Sequence, residues 1–500
     1  MIIFSQNDIL LLVSISKKEI QMIQELVKSK KFQEITEEIK KKLSPIALSG
    51  LVDVEKAHTI IALHQELQRP ICLLTYNEIQ AQKLCEDMKK FGEKVWYFPK
   101  REIATYDYVA QSKDLPYERI AVLNQMILAK QEKRPMIVVT TIEAVMQSMI
   151  SKQELYQDMV EFAVGKPYSL EKLKITLVEL GYERNELVEN KGQFSIRGGI
   201  LDVGLSENIG VRIEFWGDEV DSIRYFKISS QRSTETLKNI TIFPAHELLV
   251  KNVKQVVNKI KEKYPAEKED IELIEQGSYT SKIDKYFNQF YEIQENFLNY
   301  LSEEYLLLVD ENSKINQRQE NIILENNHLI DSLIDKERFV PEAIQNISNF
   351  EYNLGQKQIL YVEQNDILKN MTKFYFDTRE IHFHSLELEM LLSDLKVYQK
   401  ANKKVILLAG NELNSQKVCD ILKEHEVNYR YVSGEQRLEN KTIQEERVEG
   451  QEKETIKGKE NAKIGESLKP GEILVTLGSL SSGFENVNID LMLGLPNQTV

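Results

Sequence analysis

"RPICLLTYNEIQAQKLCEDMKKFGEKVWYF", residues 69–98, decides the fold class. From Pro70 to Tyr76 the chain is a continuous apolar run, suited to a strand buried on both faces of a parallel sheet. Asn77 is placed to cap a helix, with Gln80 three residues on, as in a capping box. Ile79, Leu84, Met88 and Phe91 can share one broad apolar face, and Gly92 is placed to end the helix. "KVWYF" follows as a second strand, and "PMIVVTT" from Pro135 to Thr141 as a further buried one. Strand, helix and strand in this rhythm predict an α/β sheet with right-handed crossovers.

The same unit returns far downstream. "KKVILLAGNELNSQKVCDILKEHEVNYRYV", from Lys403, aligns with the opening stretch, and Asn-Glu, Gln-Lys and the cysteine recur at a constant offset. By duplication or by convergence, a second small α/β domain is expected over residues 379–500. Between the two lies a different texture. From Gly165 to about Glu247 short alternating runs such as "VRIEF" and "SIRYF" are separated by Gly-Gly and Gly-Asp turns, which predicts a small, mainly antiparallel sheet. A charged, helical stretch follows from Val250 to about Phe350, and residues 434–470 are polar enough to be a solvated loop. The expected division is 1–155, 156–248, 249–378 and 379–500.

Bulk composition bounds the function. The 500 residues carry 42% hydrophobic and 28% charged side chains, an ordinary globular balance sufficient for several cores. A formal net charge of −14 argues against a protein whose main act is gripping nucleic acid. Cys72, Cys85 and Cys419 lack metal-ligand spacing and read as small apolar residues in a reducing compartment. The seven histidines are scattered; His382 and His384 alternate as on a strand, and no metal is expected. The N-terminus lacks a basic segment and a cleavage site, and no run reaches the ~20 apolar residues that span a bilayer. The expected location is the cytoplasm, without a membrane.

Residues 47–60, "ALSGLVDVEKAHTI", raise the question of a nucleotide. A phosphate-binding loop reads G-x-x-x-x-G-K-[ST]; its glycines turn backbone N–H groups inward, its lysine reaches the β/γ oxygens and its hydroxyl ligates Mg²⁺. Gly50 and Lys56 fall on the pattern, whereas Glu55 stands at the second glycine and Ala57 at the hydroxyl position. Glu55 adds a Cβ and a carboxylate beside a polyanion, and Ala57 cannot hold the metal. In "EYLLLVDENS" an apolar strand ends in Asp310-Glu311, like the acidic strand end that holds Mg²⁺ in such enzymes. The expectation is a nucleotide site that has lost its activity.

The stretch from Leu177 to Glu247 carries G-Y with an Arg, then "GQFSIRGGILD", then "RIEFWGDEVDSIR". It closely resembles the module shared by UvrB and the transcription-repair coupling factors of the Mfd family, and the likeness spans most of residues 45–485. The broken loop, the short segment "YFPKREIATYDYVAQSKDLPYERIAVL", "VVTTIEAVMQ" and "VTLGSLSSGFEN" are nearer to Mfd than to UvrB. The resemblance implies a degenerate RecA-like α/β domain interrupted by a β-rich UvrA-binding domain, with the small α/β domain after it. It implies recruitment of UvrA in nucleotide excision repair without ATPase activity in this chain. RNA polymerase and DNA would be partners through other domains of the family, whose motor uses ATP and Mg²⁺; no cofactor is expected here. Matched to the UvrA-facing surface are Arg184, Arg197, Arg212 and Arg224, since guanidinium groups are frequent interface anchors. Gly198 and Gly199 read as structural, and Gly204 stands where the family usually has an aromatic. Two alternatives are a UvrB-like repair ATPase and a nonfunctional truncated product, the latter suggested by a tail that departs from the family text after Glu485.

Overall fold

The computed structural model describes residues 23, 26–103, 115–263, 268–276, 281–291, 294–336, 341–348, 354, 357–376, 388–402, 405–408, 412–432, 471–476 and 490–492. The His382/His384 pair, the charged segment 434–470, the N-terminal run and the tail after Glu485, apart from 490–492, lie outside the described residues.

The predicted α/β sheet is present, and all its pairings are parallel. Its order is Thr372–Tyr375, Ile46–Ser49, Gln358–Glu363, Leu306–Asp310, Ile71–Thr75, Ile137–Thr141 and Val95–Phe98. Alternation along each strand divides the interior in two. Leu74, Val138, Leu307 and Val309 face one core, whereas Leu73, Val139, Leu306 and Leu308 face the other. Helices cover both faces, which is why the strands read as unbroken apolar runs. Residues 249–378, expected as a helical remainder of the α/β module, also contribute to this sheet. That region supplies three of the strands, and two of them separate Ile46–Ser49 from Ile71–Thr75. The first 155 residues therefore cannot close this sheet alone.

Local signals behave mostly as read. Asn77 Oδ1 accepts from the Gln80 N–H at 2.8 Å and starts the helix Glu78–Lys89. The Gln80 side chain does not complete the capping box; its amide donates to Asp53 Oδ1 at 2.9 Å. Ile79 departs from the expected apolar face and is 80% exposed: Ala81, Leu84, Cys85 and Met88 form the packed stripe, and Ile79 stands on the opposite side of the helix.

The β-rich unit is a sheet ordered Ser233–Leu237, Glu219–Lys227, Ile209–Trp216, Ile200–Gly204, Gln193–Arg197 and Glu183–Arg184. Its pairings are antiparallel except the last. Gly198 and Gly199 make the two-residue turn between Gln193–Arg197 and Ile200–Gly204, as the Gly-Gly signal predicts. Val160–Ala163 pairs with Asn239–Ile242, so the ends of the unit lie side by side. Downstream, Val405–Leu408, the helix Glu412–Glu424 and Arg430–Val432 repeat the opening unit, with Ile473–Thr476 between the two strands and Asp490–Met492 added antiparallel.

A buried ion pair joins the two larger units. Arg119, on the helix Leu115–Gln131, donates from Nε and Nη2 to Glu247 at 2.5 and 3.2 Å, and from Nη1 to the Pro99 carbonyl at 2.5 Å. Its guanidinium lies 4.2 Å from the Phe98 ring centroid. Tyr291 donates to the Glu247 carbonyl at 2.5 Å. Burial opposes charge on Glu247, but Arg119 outweighs it and holds the carboxyl below its ordinary range. We expect Glu247→Gln to leave the Arg119 charge buried without its counter-ion and to cost about 3–5 kcal/mol, read from urea midpoints at neutral pH. The contribution of this group should be present above the ordinary carboxylate pKa and fade as pH falls through the lowered one.

Candidate functional site

The strand Ile46–Ser49 runs into Gly50, and the helix Asp53–Leu67 begins three residues later. This is the strand–turn–helix placement of a phosphate loop. Here the turn is packed shut. Gly50 has φ +83°, and a Cβ on it would stand 1.8 Å from the Phe376 carbonyl oxygen. The Phe376 N–H donates to the Ser49 carbonyl at 2.7 Å, and the Leu51 N–H to the Glu363 carbonyl at 3.2 Å. Asp53 and Glu55 occupy the first helical turn, where the helix dipole favours negative charge. Asp53 takes hydrogen bonds from Gln80 and, at 2.8 Å, from Lys83 Nζ; Glu55 and Ala57 are buried.

Lys56 turns inward from the next position. Its Nζ lies 2.6 Å from Asp310 Oδ1 and 2.6 Å from Glu311 Oε1, and all three side chains are buried. Thr75 Oγ1 donates to Asp310 Oδ2 at 2.8 Å, and the Gln364 N–H to Glu311 Oε1 at 2.9 Å. The two fragments singled out in the sequence, 254 residues apart, thus form one site. Burial works against the Lys56 charge, but Asp310 and Glu311 outweigh it and raise its pKa. A third carboxyl, Glu363, was missed; its sequence signal is the same apolar strand ending in an acid, "ILYVE". Its Oε1 accepts from the Asn312 N–H at 2.8 Å, and its buried Oε2 has no hydrogen-bond partner. Burial, with Glu311 and Asp310 adding repulsion, pushes Glu363 up to about 7.

The β-rich sheet presents a second candidate surface. Its inner face packs Phe194, Leu201, Val211, Ile213 and Ile223. By the strand register, Ser195, Asp202, Arg212, Arg224 and Thr236 form a cross-strand row on the opposite face. Arg197 lies two positions from Ser195 on this face, and Arg184 is exposed on the edge strand. Arg212 makes its polar contacts within the sheet. Its Nε and Nη2 donate to buried Asp202 at 2.7 and 2.9 Å, and its guanidinium lies 4.9 Å from the Phe226 centroid. It holds the sheet together and its side chain is only 17% exposed. Arg197 reaches Asp202 through one nitrogen at 2.9 Å and stays 49% exposed; Arg224 pairs with Glu214 and keeps 34%. At Gly204 a Cβ would lie 2.2 Å from the Asn190 carbonyl oxygen, so an aromatic has no room. Val188, Phe226 and Ile228 pack together nearby on this face.

Residues 160–248 match the family model described as the UvrB interaction domain. The match falls on the β-rich unit. Its first residue begins the strand Val160–Ala163, and the match runs six residues past Asn239–Ile242, the strand that pairs with it. Most of the chain is similar to transcription-repair-coupling factors: 27% identical over 81% of this chain to that of Bacillus subtilis, and 24% over 88% to that of Staphylococcus haemolyticus. The protein from Staphylococcus aureus is 22% identical over 89%. The chain spans little more than a third of these relatives, 36% to 37% of their length. The arginine-bearing face and Asp202 all belong to the UvrB interaction domain.

Two outcomes follow from the buried charges. Lys56→Met should cost about 3–5 kcal/mol in chemical denaturation, because Asp310 and Glu311 lose their counter-charge, and adding Asp310→Asn should recover part of the loss. Glu363 takes up its proton more readily in the native state than unfolded, so its ionisation penalises folding as pH rises from about 4.5 to about 7. Glu363→Gln should therefore stabilise the protein by roughly 1–2 kcal/mol at pH 8, after discounting for solvent screening, and by little near pH 5.

Proposed function

We propose that this chain is a UvrB-like adaptor that recruits UvrA in transcription-coupled nucleotide excision repair and performs no ATP hydrolysis itself. The observation carrying the first half is the UvrB interaction domain over residues 160–248, with Arg184, Arg197 and Arg224 on exposed or half-exposed positions. Planar guanidinium groups can leave their weak intramolecular contacts to pair with a partner's carboxylates or stack on its aromatics. Arg212 serves this surface by holding Asp202, and through it the position of Arg197, rather than by touching the partner. RNA polymerase and DNA would be engaged by other parts of a longer protein of the kind the relatives represent.

The second half rests on Lys56. In a working phosphate loop this ammonium faces the nucleotide; here Asp310 and Glu311 hold it, and Phe376 fills the space above Gly50. Binding ATP would require breaking this buried cluster and bringing phosphates beside Asp53 and Glu55. The UvrB-like ATPase reading is disfavoured on that ground.

Titration calorimetry of the intact chain against UvrA tests the adaptor. Binding is expected, and an Arg184→Glu/Arg197→Ala variant should weaken it by about 2 kcal/mol or more, the scale of an interface hot spot. A folded chain that does not bind UvrA would overturn the reading. ATP–Mg²⁺ titrated into the same sample should give no heat of binding and no hydrolysis; turnover lost in Lys56→Met would instead establish the ATPase.

A further inference from the structure

A cleft of about 670 Å³ lies at the end of the parallel sheet opposite the Lys56 cluster. Pro70, Met136 and Tyr305, which line it, immediately precede the strands Ile71–Thr75, Ile137–Thr141 and Leu306–Asp310. Six basic side chains converge there: Lys42, Arg69, Lys130, Lys133, Arg134 and Lys152. The lining contains a single carboxylate, Glu304. In a chain of net charge −14 this is a local reversal of sign.

The cations are mostly uncompensated. Arg134 is paired with Glu132 at 3.2 Å, outside the lining. Lys42, Lys130, Lys133 and Lys152 have no carboxylate within ion-pair distance among the described residues. Arg69 donates to the Glu304 carbonyl at 3.1 Å and to Gln358 Oε1 at 2.7 Å, while its buried Nη2 has no hydrogen-bond partner. Lys152 is lowered first by burial, then by the charges of Lys357 and Lys130, against the pull of Glu295. Mutual repulsion in a low-dielectric cleft is a standing cost that an anion would relieve, since such walls focus the field of like charges. Tyr156, four residues after Lys152 on the helix Lys152–Gln157, is 38% exposed at the same cleft and offers an aromatic face.

We propose that this cleft binds a chain of phosphates, with Arg69 and Lys152 at its floor and Lys130 and Lys133 at its rim. A linear phosphate chain fits several separated cations better than a lone carboxylate does, and Arg69 presents its unpartnered Nη2 to a phosphate oxygen. A nucleic-acid strand and a free polyphosphate share this chemistry. The site is independent of both the UvrA-docking face and the closed nucleotide site.

Lys130 and Lys133 are exposed, so Lys130→Glu/Lys133→Glu tests the rim without disturbing a core. Lys172→Glu/Lys238→Glu, also exposed and on the UvrB interaction domain, makes the same change in net charge elsewhere. Fluorescence anisotropy with a labelled oligothymidylate and calorimetry with inorganic triphosphate would be run on the intact chain and both variants, with circular dichroism as the folding control. The rim variant should bind about tenfold or more weakly, the control within about twofold, and log K should fall linearly with log salt. Triphosphate binding alone, lost in the rim variant, would still support the site and identify a free phosphate chain as its ligand. Equal losses in both variants, or no binding of either probe to the unmodified chain, would overturn the proposal.

Discussion

The ammonium of Lys56 reaches across the seam between two distant parts of the chain and meets the acids that end the strand Leu306–Asp310. The helix Asp53–Leu67 that carries the lysine follows the strand Ile46–Ser49, yet the two strands are not neighbours; Gln358–Glu363 stands between them. One buried cation therefore ties together three strand ends from residues about 50, 310 and 363. Around it the Asn312 N–H donates to Glu363 Oε1, the Gln364 N–H to Glu311 Oε1 and the Leu51 N–H to the Glu363 carbonyl. Lys56, Asp310 and Glu311 satisfy one another, and removing any one of these three leaves charge in an apolar interior. The same contacts that brace the sheet lie at its strand–turn–helix junction.

The UvrB interaction domain is inserted into this sheet without disturbing it. The chain leaves after Ile137–Thr141 and returns to the sheet at Leu306–Asp310, and the paired strands Val160–Ala163 and Asn239–Ile242 keep entry and exit side by side. Arg119 then fixes the exit by its fork on Glu247, with Pro99 and Phe98 closing over it. A domain whose ends are paired and which is anchored near Glu247 by Arg119 and Tyr291 can present a sheet face outward. On that face Asp202 is the organising group: it is buried, and Arg197 and Arg212 both converge on it. The division of labour between arginines follows from burial, since the one with two bonds to Asp202 and a ring beneath it is committed to the fold.

Much of the architecture was legible because it depends on patterns within short segments. Unbroken apolar runs marked Ile71–Thr75 and Ile137–Thr141 as strands with helices on both sides; the Gly-Gly dipeptide marked the turn between Gln193–Arg197 and Ile200–Gly204; Asn77 marked a helix start. The recurrence near Lys403 predicted the later strand–helix–strand unit. Ile79 misled because it is out of phase with the stripe of Ala81, Leu84, Cys85 and Met88 that packs against the sheet.

By itself the sequence determined which segments are strands or helices, where the β-rich domain lies, and that Gly50, Lys56, Asp310 and Glu311 belong to one kind of site. Tertiary structure alone decided what those residues do. Whether Lys56 faces a cavity or a carboxylate depends on which strand lies beside it, and strand order brings residues 254 positions apart to 2.6 Å. The commitment of Arg212, the crowding at Gly204 by Asn190, and the arrival of Glu363 beside Glu311 are likewise contacts between segments. The side-chain period within one element says which face is buried; only packing against another element says which charge meets which.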